Sequence, residues 1–214
     1  MPNKYDLILF DMDGTIANTD ELVVETMFEL YDLYRNGIRS PREKCYYFSG
    51  PPIRESLASE FPGQDVEFLA KEFARLSRPK YDTIVTSYPH CREVLLELKK
   101  MGIKLGVVTN KFRNMSIHCL EVINLSDVFD VLVGFNDVKE HKPHPEGIFK
   151  AMKETGISDL KKVLYIGDNK LDDETGKNAH IDTCLVAWGP RKMSDEVKPT
   201  YKIDDYFNLL EVIK

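Results

Sequence analysis

No run of about 18 apolar residues, the length a helix needs to cross a bilayer, occurs anywhere in the 214-residue chain. The apolar stretch near the N-terminus is interrupted by Lys4, Asp6 and Asp11, so it lacks the form of a signal peptide and a cytoplasmic location is expected. Cysteine is scarce and dispersed. Cys45, Cys91, Cys119 and Cys184 contain no Cys-x-x-Cys pair and are expected to be reduced core side chains. Positive charge is in deficit: a formal net charge of −6 and a pI near 5.5 argue against general binding to nucleic acid or to an anionic membrane. An anionic small-molecule partner would therefore need a local cluster of specific Lys and Arg residues. Internal repeats and low-complexity tracts are also missing. The length suits one large domain, or a core carrying a smaller inserted one, and a monomer is the default expectation.

Short apolar runs at 5–10, 103–109, 163–167 and 183–187 read as parallel strands, and 129–134 as a fifth. Amphipathic stretches at 91–101, 113–124, 145–155 and 172–179 read as helices between them. This βα alternation predicts an α/β fold with helices on both faces of a parallel sheet. Residues 18–85 break the alternation. They contain helical patterns at 21–34, 53–60 and 66–76 and no buried strand, and they are too long for an ordinary loop. An inserted α-helical cap subdomain is expected there, leaving 1–17 and 86–214 as the core. The two neighbouring connections, 15–20 and 85–90, suit a hinge.

The most informative segment is Leu7-Ile-Leu-Phe-Asp-Met-Asp-Gly-Thr15, an apolar strand running into two aspartates. Asp11 and Asp13 fall on one side of an extended chain at the open end of a strand, where ligands reach parallel sheets. Paired carboxylates repel and call for a cation, and hard oxygen donors suit Mg²⁺. An aspartate can also attack phosphorus to give an aspartyl-phosphate. Gly14 permits the sharp turn that aims both acids at one point. Three further segments supply complementary groups. Thr109 and Asn110 end an apolar strand with a hydroxyl and an amide that can bind a phosphoryl oxygen. Lys142, in Glu140-His-Lys-Pro143, offers the cation that a phosphate between carboxylates requires. Asp168 and Asp172 follow another apolar strand and share one face if a helix starts near Asp168.

Together these segments resemble, in order, the four motifs of the haloacid dehalogenase-like superfamily, in particular its phosphatase branch. The resemblance covers essentially the whole chain. It implies a Rossmann-like parallel-sheet core with a helical cap, and a Mg²⁺-dependent hydrolase of small phosphate substrates. By that resemblance Asp11 is the nucleophile and Asp13 the general acid/base. Thr109 and Lys142 bind phosphate, while Asp11, Asp13 (through its carbonyl) and Asp168 hold the metal, with Asp172 as an outer acidic partner. The presence of Asp13 points away from the dehalogenases of the superfamily, which lack it. Within the branch, the third motif and the Phe48–Ser56 loop (48–56) are similar to those of phosphoglycolate phosphatases and related bacterial pyrophosphatases. Asn18-Thr19 and Asn169 lean toward the latter. Arg54 and Lys111 are candidates for gripping a second anionic group, with a surface ion pair the alternative for Arg54. A small phosphomonoester such as phosphoglycolate is the leading substrate class, with inorganic pyrophosphate the alternative. A sugar phosphomutase and a non-catalytic phosphate-sensing domain are the remaining readings.

Overall fold

The computed structural model describes residues 3–49, 52–191 and 196–214. Gly50 and Pro51 of the 48–56 loop lie outside the described residues. The first strand, β1 (Leu7–Phe10), is buried along its whole length, as its uninterrupted apolar sequence requires of a strand covered on both faces. Its side chains alternate between two cores. Ile8 and Phe10 pack on one face with Val94, Leu95, Leu98 and Cys119, while Leu7 and Leu9 pack on the other with Val133, Ile148 and Ala151.

Beyond β1 the chain forms β2 (Ala17–Asn18), then helices α1 (Asp20–Tyr34), α2 (Arg42–Cys45), α3 (Ile53–Glu60) and α4 (Val66–Ile84), and returns through β3 (Thr86–Ser87). β2 and β3 pair antiparallel, Ala17 with Ser87 and Asn18 with Thr86, so the helical segment leaves and re-enters through adjacent strands. Its helices enclose a core of their own, including Val24, Met27, Leu30, Tyr31, Leu57, Phe61 and Leu69. Buried Glu60 organises its polar side, accepting from Tyr31 at 2.7 Å, Ser40 at 2.6 Å and Arg35 at 2.9 Å.

The rest of the chain alternates: α5 (Cys91–Lys100), β4 (Lys104–Val108), α6 (Arg113–Val122), β5 (Val131–Val133), α7 (Glu146–Thr155), β6 (Val163–Gly167), α8 (Lys170–Asn178), β7 (Asp182–Val186), β8 (Tyr201–Ile203) and α9 (Leu209–Val212). The six-stranded sheet has the order β5-β4-β1-β6-β7-β8 and every pairing in it is parallel. The strand order reverses around β1, where ligands bind in open parallel sheets. Register then sets the level of the chemistry. Phe10 pairs with both Val107 and Ile166, so Asp11, Thr109 and Asp168 emerge together at the carboxyl edge.

The expected α/β architecture is present, with adjustments. β8 is an additional strand; it has three residues, of which only Ile203 is buried, too little apolar pattern to read. α4 continues past 76, through Pro79, to Ile84. Pro79 is solvent-exposed, so water can satisfy the carbonyl it leaves unpaired, and Tyr81 anchors the last turn in the core. α8 starts at Lys170 rather than 172, because the Asn169 side chain caps it through the Leu171 amide at 2.8 Å. All four cysteines are free and buried. Among the described residues, no helix is long and apolar enough to cross a membrane.

Candidate active site

The carboxyl edge gathers three acids. Asp11 follows β1 directly, Asp168 follows β6, and Asp172 lies in the first turn of α8. Each offers one carboxylate oxygen, all within 4.8 Å of one another, and all three residues are buried. Gly167 permits this crowding: a Cβ there would fall 2.1 Å from the Cβ of Asp172. Lys142 Nζ bridges two of the acids, donating to Asp11 Oδ1 at 2.8 Å and to Asp172 Oδ1 at 2.7 Å, with its side chain 5% exposed. Asp172 is fixed further. Its Oδ2 accepts from the amides of Asp168 and Asn169 at 3.1 and 3.3 Å, and its Oδ1 accepts from the Tyr165 hydroxyl at 3.3 Å.

Local sequence explains how Lys142 is held. Glu146, at the start of α7, accepts from the amides of Lys139 and Glu140 at 3.1 and 2.9 Å and closes the loop behind it. Asn110 Oδ1 accepts from the Lys142 amide at 3.2 Å. The Asn110 side chain, anticipated as a phosphate ligand, is thus engaged with the Lys142 backbone. Thr109 is buried beside it, its Oγ1 accepting from the Lys111 amide at 3.2 Å.

Asp13 does not join the converging carboxylates. Its side chain accepts from Lys111 Nζ at 2.7 and 2.9 Å and from Thr19 Oγ1 at 2.9 Å. Thr19 in turn lies 3.4 Å from Ser49 Oγ of the helical segment. Lys111 therefore faces Asp13. Arg54, on α3, is half exposed and bound to Glu67 at 2.7 and 3.1 Å, so it is not brought to the other site residues. Arg191, not among the candidates its sequence context offers, is. Its Nη2 donates to Asp168 Oδ2 and its Nη1 to Asp20 Oδ1 at 3.1 Å. The one available signal was a cation in a Gly-Pro-Arg turn after an apolar strand, at the edge where parallel-sheet sites collect.

The electrostatics show what the site still needs. Burial pushes the Asp11 carboxyl up to about 6, against the pull of Lys142, with Asp172 and Asp13 adding to the rise. Burial likewise pushes Asp168 up to about 7, against Arg191 and reinforced by Asp172 and Asp11. Burial alone would lower Lys142, yet Asp11 and Asp172 hold its ammonium well above the usual lysine range. Crowded hard oxygen donors whose ionised forms are disfavoured are offset by a divalent cation, so the donor set fits Mg²⁺. The arrangement can present a carboxylate to an electrophile, hold a second carboxyl beside it, and neutralise an anion from one side.

Residues 8–186 match the family model described as haloacid dehalogenase-like hydrolase, and the chain belongs to that family. It is a hydrolase of that superfamily. Among curated relatives, pyrophosphatase PpaX of Bacillus cereus is 33% identical over 213 residues, covering 98% of this chain and 97% of that protein. Pyrophosphatase PpaX of Bacillus anthracis is 34% identical over 215 residues with the same coverage. Two solved structures share the fold. A predicted phosphoglycolate phosphatase from Haemophilus somnus superposes with a TM-score of 0.87 at 20% identity, over 98% of both chains. A haloacid dehalogenase-like family hydrolase from Streptococcus pneumoniae gives 0.85 at 20% identity, again over 98% of both.

Proposed function

We propose that the chain is a Mg²⁺-dependent phosphatase that hydrolyses a small anionic phosphate through an aspartyl-phosphate on Asp11. The observation that supports this most is Lys142, a buried cation held between Asp11 and Asp172 beside Asp168. In this reading Asp11, Asp168 and the Asp13 carbonyl would hold the metal, with Asp172 as the outer acidic partner beside them, and the bound ion would neutralise charge on the phosphoryl group. Asp11 attacks phosphorus, and its P–O bond forms as the bond to the leaving oxygen breaks. Asp13 gives its proton to that oxygen, then takes one from the water that cleaves the acyl phosphate. Lys111 and Thr19 orient Asp13. Lys142 offsets the repulsion between an anionic nucleophile and an anionic substrate. Thr109 contributes its hydroxyl to the phosphoryl oxygens.

Residues 1–17 and 86–214 act as the core and 18–85 as a cap that covers the substrate and limits its size. Arg54 would serve a second anionic group only by leaving Glu67. Two substrates fit this frame: a small phosphomonoester such as phosphoglycolate, and inorganic pyrophosphate, which the names of the curated relatives favour. A panel of phosphoglycolate, pyrophosphate, sugar phosphates and nucleotides, read by phosphate release with Mg²⁺, separates them. Steady release without a sugar bisphosphate also separates hydrolysis from a mutase. Activity is expected to require Mg²⁺, to disappear in EDTA and to be inhibited by Ca²⁺, whose looser and higher coordination disturbs in-line geometry. Undiminished release in EDTA would remove the metal from the account.

A further inference from the structure

Arg191 touches parts of the chain that are remote in sequence. Its Nη1 donates to Asp20 Oδ1 at 3.1 Å, to the Tyr46 carbonyl at 3.0 Å and to the Ser49 carbonyl at 3.1 Å, while Nη2 donates to Asp168 Oδ2. Asp20 opens α1 and Tyr46–Phe48 form the short helical turn before Ser49, all in the helical segment. Asp168 belongs to the end of β6. The Arg191 side chain is 8% exposed, and both carboxylates it meets are buried. A guanidinium can serve such a set because its donors project in fixed directions from a plane, which an ammonium cannot reproduce.

Two neighbouring features fit the same role. Gly14 adopts φ +84°, and a Cβ there would fall 2.1 Å from Arg191 Nη2 and 2.4 Å from Asp168 Oδ2. The glycine after the paired aspartates is thus the seat on which the guanidinium rests, besides making the turn. Tyr88, immediately after β3, donates to Asp20 Oδ2 at 3.4 Å and packs against Trp188, ring centroids 5.6 Å apart. The contacts of Arg191 therefore sit beside the two strands through which the helical segment leaves and re-enters.

We propose that Arg191 is a positioning residue that latches the 46–49 loop of the helical segment to the Asp168 carboxylate, setting the segment's place over the site. An ion pair used only for stability needs one partner. Here one side chain joins two backbone carbonyls and an acid of the helical segment to an acid of the core. The catalytic consequence rests on the phosphatase reading; the latch itself does not.

The test is hydrogen exchange on the full-length protein without substrate, comparing wild type with Arg191→Lys, which keeps the charge but cannot span four acceptors. Amides of 42–49 and of the first turn of α1 are expected to exchange about tenfold faster, while those of β1, β4 and β6 keep their protection. Asp20→Asn, which leaves no charge unpaired and is the safer variant for folding, is expected to loosen the same amides by a smaller factor. Emission from Trp188, the chain's single tryptophan, should shift in both variants. If the phosphatase reading holds, kcat falls and KM rises together in Arg191→Lys on every accepted phosphate. Unchanged exchange at 42–49 in both variants, or acceleration spread equally over the core strands, would overturn the latch. Absence of turnover on every phosphate, with exchange at 42–49 still accelerated, would overturn the phosphatase reading and leave the latch standing.

Discussion

Asp11→Asn is expected to lower phosphate release by about 10⁴-fold or more while leaving the protein folded. The amide has nearly the same shape, but it neither attacks phosphorus nor contributes charge to a cation. Lys142 keeps Asp172 as a partner at 2.7 Å, so the substitution strands no buried charge. Burial already pushes Asp11 toward neutrality, so removing its charge costs the native state little. Thermal melting close to wild type, together with lost turnover, is the expected pair of results. A folded variant with near-normal turnover would assign the nucleophile elsewhere.

Lys142→Met should damage both activity and stability. The side chain is buried between Asp11 and Asp172, and methionine fills similar volume without charge. Loss of the cation is expected to slow turnover about 10³-fold, in the range for losing one preorganised electrostatic partner. It also leaves two buried carboxylates without their shared cation, a loss of about 3–5 kcal/mol at neutral pH by analogy with broken buried pairs. The sign of the pH dependence follows. A carboxyl whose folded value lies above its unfolded value of about 4 binds more protons folded than unfolded, so stability falls as pH rises through that window. Asp11, pushed up to about 6 even with Lys142 beside it, rises further without it. Melting temperatures at about pH 5 and pH 8 should show the deficit widening toward the higher pH. A pH-independent deficit would mean that Lys142 contributes packing alone.

The parts of the site that lie at strand ends were legible. Asp11, Thr109 and Asp168 each follow a short apolar run, and parallel register brings such ends together, so local pattern was enough. Lys142 was legible as a cation in a loop near anions, though not as the bridge between Asp11 and Asp172, which depends on a 131-residue separation closing to 2.8 Å. Arg191 was not legible, because its partners lie 171, 145, 142 and 23 residues away and no periodicity records them. Asn110 reads in the sequence as a phosphate ligand; an amide can bind phosphate or backbone, and the loop's path brings it to the Lys142 backbone. Arg54 posed the same ambiguity, and the fold supplies Glu67. The five sheet strands expected and the helices α5 to α8 followed from hydrophobic period; β2, β3, β8, α9 and the continuation of α4 past Pro79 depend on tertiary packing that the period does not contain.

During turnover the phosphoryl group is expected to pass through Asp11. The most direct measurement is mass spectrometry of Asp13→Asn protein quenched during turnover of p-nitrophenyl phosphate. Asparagine cannot accept a proton from water, but p-nitrophenolate needs little protonation to leave, so the second half-reaction suffers more and a phosphoenzyme accumulates. One phosphoryl group is expected, on the peptide that contains Asp11 and absent from Asp11→Asn. Phosphate on any other residue would contradict it.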